Sequence, residues 1–443
     1  MAVKWTTTVA VLSTAFCLSG SVCAAQEIVV GERTVVANAP SGWALVEPHL
    51  AISPRYPNEL LGVAILTPGQ GSYQEKGTRQ VCRAFRSTDS GLTWQPHDFA
   101  VRWCYDPWIA YTPTGDAVLA LSGRHPAVDS IGRGQDLLLF HSGDGGREWP
   151  DHPLVLRRSP DHPTIAVDTT TSKRRGSVYV MSGQSIQVAT SRDGGQTFAP
   201  PIQVTPNDLI NLAETPVVLS NGMLVLSFVD AAWRRPDSAE PFGYFTHRRS
   251  WIVRSSDGGA TFSAPFFITD ACGQPPHFQQ SFLTVDPSAA FHDRLYFACR
   301  RAGGGPIVVA HSSDAGAQWS DPVPVSAEPD DSTESRVVVM AVNSTGVLGV
   351  AWMVGRPAVP CHELWFTASM DGGRSFLPPE RLSVPACPSA VWSTSGDYFG
   401  LASSGTGQFH LLWGEPGAVG GILVHTTVDV RKPAPTSVPR PDR

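Results

Sequence analysis

The sequence predicts an all-β fold, a single β-propeller of four-stranded antiparallel blades. Three observations lead there. A short turn motif recurs six times, strand-like runs precede each copy, and the copies are evenly spaced along the 443 residues.

The motif reads Ser-x-Asp-x-Gly-x-x-Trp/Phe and is known as an Asp box. Its copies are STDSGLTW from Ser87, SGDGGREW from Ser142, SRDGGQTF from Ser191, SSDGGATF from Ser255, SSDAGAQW from Ser312 and SMDGGRSF from Ser369. The residue types suit a hairpin turn: the Asp accepts local backbone N–H bonds, the Gly supplies a positive φ, and the aromatic anchors beneath the turn. The box aspartates Asp89, Asp144, Asp193, Asp257, Asp314 and Asp371 lie roughly fifty to sixty-five residues apart, a minimal blade plus loops.

Before each box sits a β-rich stretch such as IQVATS or IVVAHS, and before that a pair of strands around a turn, as in TPVVLSNGMLVLSFVD. Each unit thus supplies three strands and a fourth after the box. The inner strands start at Glu47, Asp106, Asp161, Glu214, Gln280, Ser335 and Asp397. That makes seven blades, the last without a box; six is the alternative count. EIVVGERTVV from Glu27 has no blade of its own and is expected to pair beside GILVHTTVDV, closing the ring and removing an exposed sheet edge.

Residues 1–25 read as an export signal: Lys4, an apolar stretch from Val9 to Cys17, then small residues to Ala25. Residues 26–430 form the propeller, and the Pro-rich stretch 431–443 is expected to be disordered. The product is expected to be secreted or periplasmic, with no membrane anchor. A formal net charge of −6 without a basic run argues against nucleic acid as a partner. Six cysteines follow the signal, and an even count in an exported chain reads as disulfides. Connectivity stays open on sequence alone, while nearest neighbours group Cys82 with Cys104, Cys272 with Cys299 and Cys361 with Cys387.

Strand alternation places the box turns on one face. Inner-strand starts and the loops between second and third strands lie on the other, at the mouth of the channel. That face collects Glu47, Asp106, Asp161, Glu214 and Asp397, with His49, Trp108, His162 and Tyr398 beside them. Converging carboxylates and aromatics suit sugar binding. The same acids also suit capping of strand ends by accepting backbone N–H bonds, and a mouth cation is a third reading. No HExxH, GxSxG or paired CxxC motif is present, and neither metal nor cofactor is expected.

The Asp boxes and repeated strands resemble the sialidase superfamily over nearly the whole mature chain. The resemblance implies a Tyr nucleophile, a Glu acting as its base, an Asp acid/base and three arginines gripping a substrate carboxylate. ETPVVLSNGMLVLSF looks like the family's Glu segment, which makes Glu214 the base; DYFGLASSGTGQFHLLWGE resembles the Tyr strand, which makes Tyr398 the nucleophile, one blade later than in the family. Arg300 and Arg301 fall at the spacing of a family arginine, and Arg124, Arg336 and Arg356 share the mouth face, where they offset the acids. Where the family has Arg-Ile-Pro on the first inner strand, this chain has Glu47, Pro48 and His49. The expected function is therefore an exported propeller acting on a glycan or glycoconjugate, either as an exo-glycosidase of sialidase type or as a non-catalytic binder of glycan or protein at the mouth face. The expected substrate contacts are Arg300, Arg301, Glu47, Asp106, Trp108, Asp161, Arg336 and Asp397, and a glycosidase using two of the ring carboxylates is a third reading.

Overall fold

The computed structural model describes residues 27–68, 80–101, 103–124, 136–156, 161–183, 185–205, 211–234, 244–272, 281–302, 305–325, 334–356, 359–383, 396 and 398–431. Short runs of Val, Ile and Leu punctuated by Gly and Pro give strands and no α-helix among these residues. Seven sheets result. Their inner strands are Trp43–Ile52, Trp103–Tyr111, Thr164–Val167, Asn211–Val218, Phe282–Val285, Glu334–Val342 and Gly400–Ser403. Blades 1 to 6 each run first, second, third and fourth strand outward, antiparallel throughout. Second strands lie between the faces of adjacent blades, so Leu60–Pro68 is buried at every position rather than alternating.

The seventh blade takes its outer strand from the other end of the chain. Glu27–Val30 and Thr34–Asn38 both pair antiparallel with Gly421–Arg431, Ile28 opposite Val430 and Thr34 opposite His425. The ring is closed by the N-terminal segment, and the count is seven.

Each Asp box is built as its residue types dictate, and each also joins two blades. In all six the Ser Oγ donates to the Asp Oδ1 at 2.7–2.8 Å and accepts the N–H of the motif glycine at 2.8–2.9 Å. Two consecutive residues take positive φ, as a primed hairpin turn requires; Ser90 (φ 61°) and Ala315 (φ 57°) fill the first position where the other boxes have glycine. The second glycine is required for a different reason. A Cβ on Gly146 would fall 2.6 Å from Leu61, on Gly195 2.5 Å from Val118, and on Gly316 2.2 Å from Ile252, each a side chain of the preceding blade. The box is a turn pressed against its neighbour, and that contact sets the spacing of the ring.

Hydrogen bonds from the Thr261 hydroxyl and backbone and from Ser255 hold the Asp257 carboxyl well below the usual carboxylate range. Ser255, 1% exposed, is the hinge of that network. Ser255→Ala is expected to cost about 1–2 kcal/mol in urea unfolding, because the Gly259 N–H loses its buried acceptor; a loss under about 0.3 kcal/mol would mean the turn holds without it.

The Asn343-Ser344-Thr345 sequon lies on the box face. Asn343 is buried, its side-chain amide donates to Gly407 O at 2.7 Å, and its Oδ1 accepts from Val347 N at 3.0 Å. In the folded protein this asparagine joins blades 6 and 7 and is not available as a glycan acceptor.

Candidate functional site

The mouth-face ends of the inner strands of blades 1, 2, 4 and 6 carry a bulge at the same place, between Val46 and His49, Tyr105 and Trp108, Ala213 and Pro216, and Ser335 and Val338. In the first three blades the residue at this level precedes a proline: Glu47-Pro48 and Asp106-Pro107 within the bulges of blades 1 and 2, and His162-Pro163 just before the inner strand of blade 3. All three take a left-handed backbone, with φ of 51°, 49° and 47°. Such conformations cost about 1 kcal/mol or more in a non-glycine residue, and here a chain of hydrogen bonds holds them. Glu47 Oε2 accepts the N–H of Asp106 at 3.3 Å, and Asp106 Oδ2 accepts the N–H of His162 at 3.4 Å. Blade 4 repeats the device, Glu214 Oε1 accepting the N–H of Ser281 in blade 5 at 3.1 Å.

Thus Glu47, Asp106 and Glu214 each bind the backbone of the next blade. The ring position of blade 3 belongs to His162, not to Asp161, where the sequence reading began that inner strand. The strand itself starts at Thr164. The X-Pro dipeptide shared by Glu47, Asp106 and His162 was the signal that could have fixed this register.

Tyr398, 2% exposed, approaches from blade 7. Its hydroxyl donates to Pro107 O at 3.2 Å and its ring lies 5.7 Å from Trp108. His49 stacks on the other ring of this group, 3.8 Å from Trp108 between centroids. Its Nδ1 accepts the Ile109 N–H, and burial pushes its pKa down to about 3. The Glu214 carboxylate therefore bonds blade 5, and the Tyr398 hydroxyl bonds blade 2. Arg300 ends the second strand of blade 5, and Arg301 pairs through its backbone with Cys272. Both have further partners. The backbone of Arg336 lies in the inner strand of blade 6, while its side chain, like all of Asp397, falls outside the described residues.

Cys82–Cys104 and Cys272–Cys299 are disulfides, as grouped from sequence; Cys387 and the side chain of Cys361 lie outside the described residues. Beside Cys104, Trp103 is 39% exposed and the Arg124 guanidinium sits 4.9 Å from its ring. Burial first, then the charges of Asp106 and Glu47, push the neighbouring Tyr105 phenol up. Asp106, Asp161 and His162 bring ligand-type atoms within 4.8 Å of one another, Asp106 Oδ1 lying 3.4 Å from His162 Nδ1. That composition suits a cation or an ion-paired cluster, and each of the three has further partners.

A cavity of about 670 Å³ fills the channel. His49 and Trp108 line one end; Thr170, Ser220 and Asp293, in turns between first and second strands, line the other. It therefore extends to the Asp-box face, opposite the face on which the sequence placed the ligand.

Residues 173–351 match the BNR repeat-like domain. The chain is a seven-bladed β-propeller that carries a BNR repeat-like domain. No curated protein matches its sequence significantly. Among solved structures, a polysaccharide lyase described as an ulvan lyase superposes with a TM-score of 0.53 at 12% identity, covering 87% of this chain and 97% of the other. A protein of unknown function from Dyadobacter fermentans gives 0.52 at 13% identity, over 91% and 99% of the two chains. A Hadza microbial sialidase gives 0.46 at 13% identity, over 90% and 96%. At such identities the likeness of this propeller to the first two is one of fold, and its chemistry rests on its own residues.

Proposed function

We propose that this BNR propeller is exported and recognises a glycan at its mouth face, and that it does so by binding rather than through a Tyr nucleophile. The observation that carries the reading is Trp103, a half-exposed indole backed by Arg124 and anchored next to the Cys82–Cys104 disulfide. A sugar presents C–H groups that stack on an indole and hydroxyls that reach neighbouring carboxylates and guanidinium groups, and a rigid platform loses little entropy on binding. The disulfides suit an oxidising compartment, in keeping with the leader at residues 1–25.

A Tyr-dependent sialidase reaction would require the Tyr398 hydroxyl to leave Pro107 O and reach an anomeric carbon from a site that is 2% exposed. The cost of releasing that bond weighs against the reaction.

Binding of the wild type to a glycan array, with roughly tenfold weaker binding by Trp103→Ala, is the expected result, corresponding to ~1.4 kcal/mol of stacking. The paired assay is release of sialic acid from a fluorogenic sialoside. No release is expected from wild type or Tyr398→Phe. Release by the wild type that Tyr398→Phe abolishes would replace binding with hydrolysis, and an array without signal would remove the glycan reading itself.

A further inference from the structure

Each box glycine presses on the blade before it, and at most of these joints the opposing side chain cannot ionise at ordinary pH: Leu61 faces Gly146, Val118 faces Gly195, Thr190 faces Gly259 and Ile252 faces Gly316. The joint that closes the ring differs. There Gly91 of blade 1 lies against His425 of blade 7, close enough that a Cβ on Gly91 would fall 2.2 Å from the imidazole. His425 belongs to the strand Gly421–Arg431 that holds both N-terminal strands, and its Cα partner there is Thr34. Behind it stands a second histidine. His410 Nδ1 and His425 Nε2 share a hydrogen bond of 3.1 Å, with the rings inclined by 27° and the residues 1% and 2% exposed. Trp94, the aromatic of the first box, meets His425 edge-on at 5.5 Å.

One shared hydrogen bond between two imidazoles requires one nitrogen to donate and the other to accept. A proton added to the accepting nitrogen turns the contact into donor against donor, and two buried charges would face each other. Gly91 and Trp94 from blade 1 and Thr34 from the N-terminal strand contribute no titrating group. The Asp429 carboxylate, on the same strand as His425, is the charge that favours a protonated His410. It is already engaged by Gln408 Nε2 at 3.2–3.3 Å.

We propose that His410 and His425 form an acid-sensitive latch at the seam where the propeller ring closes, so that acidification opens this seam before any other. Burial holds His410 down to about 4; burial, followed by the charge of His410, holds His425 down to about 3. Both lie below the ordinary value near 6.5 that an unfolded histidine takes. The sign follows from linkage: the folded form binds fewer protons, so stability is intact above about pH 6.5 and is lost as pH falls through 6.5 toward 4. The box carboxylates, held low, give up their contribution only below the ordinary carboxylate range, so the two windows separate.

Hydrogen exchange on the intact protein at pH 7, 5.5 and 4.5, corrected for the intrinsic pH dependence of exchange, tests the latch. Protection of segments 27–38 and 421–431 is expected to fall by up to about tenfold per pH unit for each histidine, ahead of the inner strands. His410→Gln keeps a polar partner that cannot charge, and His425→Leu supplies the kind of side chain found at the other joints. Either is expected to flatten that dependence. His49 titrates in the same direction, but it lies in the channel at the mouth end, so its effect would appear in blades 1 and 2. Equal loss of protection in all blades, or an unchanged pH dependence in both variants, would overturn the proposal.

Discussion

A chain lacking residues 27–38 is expected to lose on the order of 5–10 kcal/mol of stability, enough to leave it unfolded or aggregated at ordinary temperature. The segment contributes little core of its own. Its effect lies in what it covers. Glu27–Val30 and Thr34–Asn38 satisfy the outer edge of Gly421–Arg431 along nearly its whole length, and Thr426 Oγ1 reaches back to Gly31 O at 3.0 Å. Arg33 forms an ion pair with Glu415 on the next strand. Val36 and Ala37 pack against the cluster of Ala39, Leu45 and Leu423 that joins blade 7 to blade 1. Without them an eleven-residue strand presents a bare row of N–H and C=O groups, the template for pairing with another copy. Size-exclusion chromatography and thermal unfolding of the truncated chain check this, and a synthetic peptide of residues 27–38 added in trans is expected to restore a monomer. A truncated monomer melting within a few degrees of the full chain would show that the seam is held from within blades 7 and 1.

Much of this architecture was legible because the Asp box is a local device. Ser255, Asp257 and Gly259 satisfy one another within five residues, so the motif fixes the turn, the turn fixes the strands on either side, and six repetitions fix the ring. The seventh blade was readable for a different reason: GILVHTTVDV left an unpaired edge that only EIVVGERTVV could cover. The site was harder to read. Whether an acid at an inner-strand start serves a ligand or a backbone amide depends on a partner some sixty residues away, as with Glu47 and Asp106. In blade 3 the left-handed His162 stands outside the strand, which begins only at Thr164, so the period of two gives no register for choosing between Asp161 and His162. The histidine pair left no mark at all. His410 and His425 sit in stretches of strand buried on both faces, like their neighbours, and only the ring closure brings Gly91 against His425.

Glu214→Ala is expected to cost about 2–4 kcal/mol, and Glu214→Gln about 1 kcal/mol or less. This residue ties three blades together. Its Oε1 accepts the Ser281 N–H of blade 5, while its own carbonyl accepts the Thr164 hydroxyl of blade 3 at 2.9 Å. The neighbouring Thr215 hydroxyl bonds both the N–H and the C=O of Leu283, at 2.6 and 3.1 Å, so the blade 4 to blade 5 joint is a short ladder of side chains on backbone. Alanine removes a buried acceptor and leaves a void in a site that is 3% exposed. Glutamine keeps an oxygen for the Ser281 amide and loses only the charge, so the pair of variants separates capping from ionisation. A carboxylate kept chiefly for reaction would behave in the opposite way, because a charge buried for catalysis is held at a cost in stability, and its removal is neutral or stabilising. Urea unfolding of both variants, with exchange of the Ser281 amide followed in each, decides between the two. Wild-type stability in Glu214→Ala would return Glu214 to the role of a base, whereas loss in alanine and retention in glutamine would make the mouth acids the mortar between blades and leave recognition to side chains such as Trp103.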